Sequence, residues 1–233
     1  QQRLHILPLL DDMYNDQNWI ARVQQAVQSV ALSTQIAQPR IGLIGHSKDE
    51  TSYYLSLFPQ WRSVSVPSYQ NGLSATPLRK CYFLQGEISD QLPVAVQDNL
   101  SHFKNTNAYE DVANEWAFVR QYQQTWAAAP YPPTFVTVDA VVIQSGHVLL
   151  IQRRARPGKG LWALPGGFVN QDETLRDAVI RELREETRIK IPAPVLQGSI
   201  IKTQVFDHPD RSSRGRTITH AYLIELQPDA HGP

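Results

Sequence analysis

Apolar residues first recur at helical spacing near the start of the chain. Trp19, Ile20, Val23, Val27 and Val30, with polar residues between them, predict an amphipathic helix over residues 14–30. A short apolar run over 41–44 predicts a strand ending at Gly45, followed by the polar turn Gly45-His46-Ser47-Lys48-Asp49. A helix through Tyr53, Tyr54 and Leu57 is expected next, stopped by Pro59. Residues 64–67 read as another short strand. In Leu73-Ser74-Ala75-Thr76-Pro77 a helix is expected to begin, with Thr76 as its cap and Pro77 in the first helical position. Helical character then continues to Trp126, apart from a break near Pro93. Alternating helices and strands of this kind predict an α/β layered architecture, with ligands at the carboxyl ends of strands.

The pattern changes at Ala129-Pro130-Tyr131-Pro132-Pro133. Prolines lack the N–H donor and fix φ, so this segment belongs to neither a helix interior nor a central strand, and it reads as a domain junction. Beyond it, β-branched runs over 134–143 and 148–152, joined by Ser145-Gly146, predict a β-hairpin. A loop rich in glycine and proline, 157–167, leads to one strong helix over 174–188, and the last strand is expected over 217–226. The expected organisation is a first domain over 1–128, a linker over 129–133 and a second domain over 134–233.

Composition narrows the function. The 22 basic and 22 acidic residues balance to a formal charge of zero, which excludes a polybasic nucleic-acid binder and an acidic disordered tail. No membrane partner is expected either: no apolar run approaches the roughly 20 residues of a membrane helix, and residues 1–13 lack the layout of a signal peptide. Cys81 is the one cysteine, so an intramolecular disulfide and a cysteine-based zinc cluster are both excluded. It reads as a buried or incidental thiol, and a reducing, cytoplasmic location is expected. Because the first residue is Gln, the chain is expected to begin inside a longer gene product.

The most informative chemistry lies in the helix over 174–188 and the glycine turn before it. Glu182, Glu185 and Glu186 stand at i, i+3 and i+4, so their carboxylates project from one side of the helix. Val179, Ile180 and Leu183 form a neighbouring apolar stripe. Ala178, small and read on the acidic side, is expected to leave room for a ligand. Three adjacent carboxylates form a solvated face or a hard oxygen site for Mg²⁺ or Mn²⁺.

The longer spacing decides between these. Gly167, five residues, Glu173, seven residues, Arg181-Glu182-Leu183, one residue, Glu185-Glu186, closed by Ile189, resembles the Nudix hydrolase signature. The resemblance implies an α+β Nudix fold, an α/β/α sandwich. It implies that Glu182, Glu185 and Glu186, with the carbonyl of Gly166, hold Mg²⁺ (or Mn²⁺). In the same way it gives Arg181 and Glu173 the role of fixing the loop, helix and loop, and Glu182 and Glu185 a share in catalysis. The family pattern has glycine near the position of Arg188, which puts the loop after the helix in question. Whether one of these glutamates or another residue is the general base stays open.

Substrate signals cluster in 206–220, where Arg211, Arg214 and Arg216 either grip diphosphate oxygens or belong to an ordinary basic loop. Arg153 and Arg154 carry the same two readings. Phe168 and Trp162 either stack on a base or serve as core or hinge residues. In context the arrangement resembles the ADP-ribose pyrophosphatase branch of the Nudix family, which makes ADP-ribose or a related nucleoside diphosphate the expected ligand.

In the first domain, Ser74-Ala75-Thr76-Pro77-Leu78-Arg79 resembles the Ser-x-Thr-x-x-Arg motif of nucleotidyltransferases such as nicotinamide mononucleotide adenylyltransferase. Backbone N–H groups at that helix start, with Arg79, are suited to ATP phosphates; a capped helix explains Ser74 and Thr76 equally well. Gly45-His46-Ser47-Lys48-Asp49 and Tyr14-Asn15-Asp16-Gln17-Asn18-Trp19 resemble stretches of the same family, in which a Trp stacks on the nicotinamide ring. The resemblance therefore implies Trp19, Gly45, His46, Ser74, Thr76 and Arg79 as binding residues for ATP and nicotinamide mononucleotide, in the later portion of a part-Rossmann-like domain. Nearly the whole chain is similar to the bacterial bifunctional nicotinamide mononucleotide adenylyltransferase and Nudix ADP-ribose pyrophosphatase proteins. The His-x-Gly-His motif of the transferases is absent from the sequence, so residues 1–233 alone are expected not to transfer adenylyl groups. The second domain is expected to stop short of the closing elements of its fold.

These readings together predict Mg²⁺-dependent hydrolysis of ADP-ribose to AMP and ribose 5-phosphate. The competing reading is a non-hydrolytic Nudix sensor of ADP-ribose or NAD in a transcriptional regulator, which the intact acidic box disfavours. A third has the first domain only packing against the second. Oligomeric state, homo-oligomers included, is left open.

Overall fold

The computed structural model describes residues 4–12, 14–34, 38–45, 50–66 and 73–228. The chain divides into two compact units, residues 1–75 and 76–233.

In the first unit, helix α1 (Asp16–Ser33) starts at Asn15, whose side chain accepts the Asn18 amide at 2.9 Å and so satisfies one of the orphan donors of the first turn. Its apolar stripe brings Trp19 against buried Phe58, ring centroids 5.8 Å apart, and Phe58 stacks on Trp61 at 4.7 Å. Strands β1 (Gly42–Gly45) and β2 (Arg62–Ser65) pair in parallel, which requires a crossover between them. Part of that crossover is a 3₁₀ helix over Glu50–Ser56, where a helix is expected, and it ends one residue before Leu57. Residues 46–49 of the polar turn and Pro67 lie outside the described residues.

Helices α2 (Ala75–Gln85), α3 (Val94–Phe103) and α4 (Asn107–Gln124) follow. Helix α2 begins one residue before Thr76, so Pro77 stands third in the helix and Thr76 is inside the first turn instead of capping it. Proline is tolerated there because those amides have no acceptor within the helix. Pro93 caps α3, as the expected break required, and the Thr106 hydroxyl caps α4 by accepting the Tyr109 amide at 3.2 Å. The three helices close on an aromatic cluster: Tyr82 meets Tyr109 edge-on at 5.0 Å, and Phe83 stacks on Trp116 at 6.0 Å. Its polar tips are satisfied internally, Tyr82 donating to the Leu100 carbonyl at 2.6 Å and Tyr109 to the Tyr82 carbonyl at 2.8 Å. The division between units falls after the first residue of α2, and the proline-rich segment lies within the second unit. Aromatic packing carries across that segment, with Trp126 edge-on to Phe135 at 5.1 Å.

The main sheet grows from β3 (Phe135–Gln144). Ser145 and Gly146, at φ 49° and 77°, turn it into β4 (His147–Val148), the positive φ at both central residues being what a two-residue hairpin turn demands. The second hairpin strand is shorter than expected: β5 (Ile151–Gln152) leaves β3 and pairs with β6 (Trp162–Ala163). Strand β7 (Gly166–Phe168) runs antiparallel to β3. Strand β9 (Thr217–Leu226) runs parallel to β3 over its whole length and is edged by antiparallel β8 (Ile200–Phe206).

Strand alternation sorts β3 into two faces. Val138, Ala140 and Val142, with Tyr222, Ile224 and Leu226 of β9, form the core against α5 (Leu175–Thr187) and α6 (Ala193–Gly198). Leu183 of α5 is wholly buried there, so its truncation to alanine costs about 3 kcal/mol. Ala178 is wholly buried in the same core, which corrects the expectation that it leaves room for a ligand. Thr137 and Asp139 take the opposite face of β3. The result is a mixed α/β fold, and among the described residues no helix is long and apolar enough to cross a membrane.

Candidate active site

Helix α5 begins at Thr174, whose hydroxyl accepts the Asp177 amide, and ends at Arg188 in the left-handed conformation. Between these caps the 3.6-residue period aims the predicted glutamates toward β7. Arg181 is the hub. It donates to both oxygens of Glu173, from Nε at 2.9 Å and Nη2 at 2.6 Å, and to the Phe168 carbonyl at 3.1 Å. Its Nη1 reaches Glu182 at 2.8 Å and Glu185 at 3.3 Å. Glu173 also accepts the Asn170 amide at 2.8 Å. The bond from Arg181, then that from Asn170, lower the Glu173 carboxyl to about 2. Burial pushes Glu182 up, the Arg181 bond opposes this, and the charges of Glu186 and Glu185 add to the rise.

The two glycines of β7 press against these carboxylates. Glu186 accepts the Gly166 amide at 2.9 Å. A methyl group on Gly167 would stand 2.5 Å from Glu182 Oε1, so a side chain there would push the carboxylate aside. Glu182 is the inner carboxylate, its side chain 14% exposed against 61% for Glu185.

Among the described residues no three His, Cys, Asp or Glu side chains close around one point as a metal shell. Arg181 holds oxygens of Glu182 and Glu185, while Glu186 turns to the Gly166 amide. The donor set still fits a hard divalent cation. Three carboxylates share one helical turn beside a glycine backbone, and burial with mutual repulsion already disfavours the charge on Glu182, a penalty that a cation removes.

Two cavities meet at this strand. One, about 940 Å³, is lined by Glu185, Glu186, Phe168, Arg153 and Arg214 among others. The other, about 340 Å³, lies on the second face of β3 and is lined by Thr137, Asp139, Arg153, Arg211 and Arg214. Gly166 and Gly167 line both. Carboxylates and arginines lining one cavity are the charges that a metal-bound phosphate ester requires together.

Residues 133–233 match the NUDIX domain family. The chain carries a Nudix domain. Over 97% of its length it is similar to a bifunctional NMN adenylyltransferase/ADP ribose pyrophosphatase of Francisella tularensis, solved in complex with AMP and a manganese ion. Identity is 39%, the TM-score is 0.86 and 66% of that chain is covered. It is 36% identical over 116 residues to the nicotinamide/nicotinic acid mononucleotide adenylyltransferase of Acinetobacter baylyi, covering 50% of this chain and 59% of that protein. It is 38% identical over 91 residues to the ADP-ribose pyrophosphatase of Methanocaldococcus jannaschii, covering 39% of this chain and 50% of that protein. The chain thus spans about half the length of these curated relatives.

Within the Nudix domain the structure brings together Gly166, Glu173, Arg181, Glu182, Glu185 and Glu186. Arg153 and Arg214 line both cavities. Phe168 lines the larger, but Arg214 covers its ring at 4.7 Å and Phe135 meets it edge-on at 5.6 Å, so it supports the arginine loop. Arg216 lines neither cavity and donates to the Asp207 carbonyl of its own loop. Trp162 is 69% exposed on β6 and lines neither cavity.

The residues expected to bind nucleotide in the first domain are divided between the two units. Trp19, Gly45 and Ser74 lie in the first, Thr76 and Arg79 are exposed on α2 in the second, and His46 is outside the described residues. Gly45 has a packing reason to be glycine, since a methyl group there would meet Leu55 Cδ2 at 2.4 Å. Cys81 is exposed, which removes the buried alternative.

The sequence reading missed Asp139. Burial raises its carboxyl, Arg211 and Arg153 draw it down, and Glu186 pushes it up. One signal was available, a lone carboxylate inside the β-branched run of β3.

Proposed function

We propose that the Nudix domain hydrolyses ADP-ribose to AMP and ribose 5-phosphate with Mg²⁺, Mn²⁺ serving in its place. The observation that carries this reading is the meeting of Glu182, Glu185 and Glu186 with the Gly166-Gly167 strand beside a cavity lined by Arg153 and Arg214. The Gly166 carbonyl and the three glutamates would hold the metal, which when bound neutralises the diphosphate and makes water a stronger nucleophile. Arg181 and Glu173 fix the loop and helix so that these donors keep their spacing. Arg153 and Arg214 bind the diphosphate oxygens. One water is consumed, its oxygen entering one phosphate while the bridging oxygen leaves with the other.

We further propose that residues 1–128 are the later portion of a nucleotidyltransferase domain, 129–133 the linker and 134–233 the hydrolase. The complete protein would then join NAD synthesis from ATP and nicotinamide mononucleotide to ADP-ribose hydrolysis. The likeness to the Francisella protein over nearly the whole chain supports this reading.

Incubating the chain with ADP-ribose and Mg²⁺, then resolving products by chromatography, tests the hydrolase. AMP and ribose 5-phosphate in equal amounts are expected, with turnover lost in Glu186→Gln. No product with either metal would sink the reading, and undiminished turnover in the variant would remove Glu186 from the site.

A further inference from the structure

Helix α4 reaches the hydrolytic site from ahead of the family-matched residues. Its Tyr122 ring lies 5.7 Å from the Arg214 guanidinium carbon, and Phe168 faces the same carbon at 4.7 Å. The next residue, Gln123, donates from Nε2 to the Ser213 carbonyl at 2.9 Å. Two turns earlier, Glu115 accepts the Gly158 amide at 3.0 Å and stands 3.3 Å from Arg156 Nε. One helix therefore touches both loops that carry Arg153 and Arg214 to the cavities.

We propose that α4 positions the substrate loops of the Nudix site, with Tyr122 setting Arg214 for the diphosphate. The inference rests on the hydrolase reading above and adds to it a determinant of substrate affinity outside residues 133–233. An arginine on an unsupported loop samples many rotamers, and ordering it on binding costs affinity. Held between two aromatic faces the guanidinium is already ordered, since ring faces attract it and its edge keeps N–H donors for an anion. Arg214 Nε is buried without a hydrogen-bond partner, a donor that the protein leaves over. Burial also makes the charge of Arg214 costly, which an incoming anion offsets.

The helix can bear this role because its first half is fixed elsewhere. Tyr109 and Trp116 belong to the aromatic cluster of α2 and α3, and Tyr109 donates to the Tyr82 carbonyl. Tyr122 in its last turn and Trp126 just beyond its end pack on Phe135, at 6.0 and 5.1 Å. Phe135 in turn meets Phe168 and presses within 3.1 Å of where a Gly215 methyl group would stand. The arginine loop is thus clasped on both sides of Arg214.

The test uses the full chain with Tyr122→Leu and Tyr122→Phe. Three quantities are followed: ADP-ribose hydrolysis with Mg²⁺, calorimetric binding of ADP-ribose in EDTA, and amide hydrogen exchange across residues 211–215. Tyr122→Leu is expected to raise KM and Kd roughly tenfold while kcat stays within about twofold, and to speed exchange in 211–215 but not in α5. Tyr122→Phe is expected to keep the wild-type values, because the ring that lies under Arg214 is retained. Unchanged KM, Kd and loop exchange in a folded Tyr122→Leu protein would overturn the proposal, as would a loss confined to kcat. If the wild-type chain neither binds nor cleaves ADP-ribose, the hydrolase reading fails by itself. Loop exchange then still decides whether α4 positions Arg214.

Discussion

Arg181 grips both carboxylate oxygens of Glu173, through Nε at 2.9 Å and Nη2 at 2.6 Å, and so ties the loop before α5 to the middle of the helix. The same guanidinium reaches Glu182, so the clasp that holds the loop also sets the inner carboxylate of the site. A lysine supplies a point charge but not the planar fork. Arg181→Lys is therefore expected to cost about 2 kcal/mol of stability in urea unfolding and to lower kcat as well as raise the metal requirement. Stability and metal dependence that both match wild type would show that the fork is not what aligns the site.

The same clasp gives acid lability. Glu173 is held at about 2 in the folded protein by its bonds from Arg181 and Asn170, whereas an unfolded glutamate titrates near ~4.3. The unfolded state therefore takes up the proton first as pH falls. The contribution of Glu173 is complete above about pH 5 and is lost as pH drops toward about 2. Glu182 acts in the opposite direction, since its folded value is raised and the folded state binds its proton more readily. Comparison with Glu173→Gln isolates the first effect. Wild type is expected to lose urea stability more steeply than the variant between about pH 5 and about pH 3; parallel losses would dismiss the pair as the cause.

The adjacent glycines of β7 are expected to fail in different ways. A methyl group on Gly167 meets only the end of the flexible Glu182 side chain, at 2.5 Å, so Gly167→Ala should fold and displace the carboxylate. A displacement of about 1 Å costs on the order of 10²-fold in turnover. On Gly166 the methyl group meets the Val138 carbonyl of β3 at 2.2 Å, which is backbone inside the sheet. Gly166→Ala should therefore lower thermal stability and disturb the pairing of β7. Circular dichroism melting separates the two, and equal melting temperatures would contradict the contrast.

These contrasts show why part of the site was readable and part was not. Glu182, Glu185 and Glu186 repeat at the helical period within one element, so spacing alone places them together. Asp139 owes its environment to Arg153, Arg211 and Glu186, which come from distant stretches of chain and converge only after folding. Ala178 shares a helix face with Glu182, yet α5 tilts it into the core, and four-residue spacing does not report how close the sheet approaches. The aromatic residues of α4 fall in a stretch that reads only as helical up to Trp126. Nothing in their spacing distinguishes Trp116, which faces α2, from Tyr122, which faces the arginine loop. The parallel pairing of β3 with β9 joins residues such as Val138 and His220, far apart in sequence, so the strands were predictable and their adjacency was not.

Arg188 occupies φ 58°, ψ 27° at the end of α5, the left-handed conformation that glycine adopts without strain. The chain therefore keeps the turn that the family glycine would give and bears the strain of a side chain in it. Arg188→Gly relieves about 1 kcal/mol of that strain and returns part of it to the freer unfolded chain, for a net gain of about 0.5 kcal/mol. A β-branched residue is worse placed, and Arg188→Val should lose about 1 kcal/mol or more. Both changes should appear as shifts of the urea midpoint with unchanged slope. A destabilised glycine variant would mean that the arginine side chain contributes more than its backbone costs.

Thr137 and Thr219 share a hydrogen bond between hydroxyls 2.6 Å apart, both buried where β3 and β9 run side by side. Each hydroxyl is satisfied by the other, so removing one leaves its partner buried with an unmet donor or acceptor. Thr219→Val is expected to cost about 1–3 kcal/mol for that reason, and Thr137→Val a similar amount. Removing both leaves nothing unsatisfied, and the double variant should be less destabilised than the sum of the two singles by about 1 kcal/mol or more. Strictly additive losses in a double-mutant cycle would show that a neighbouring group, and not the opposite threonine, satisfies each hydroxyl. Both residues line the smaller cavity, so ADP-ribose turnover in each single and in the double variant is expected to follow its own stability.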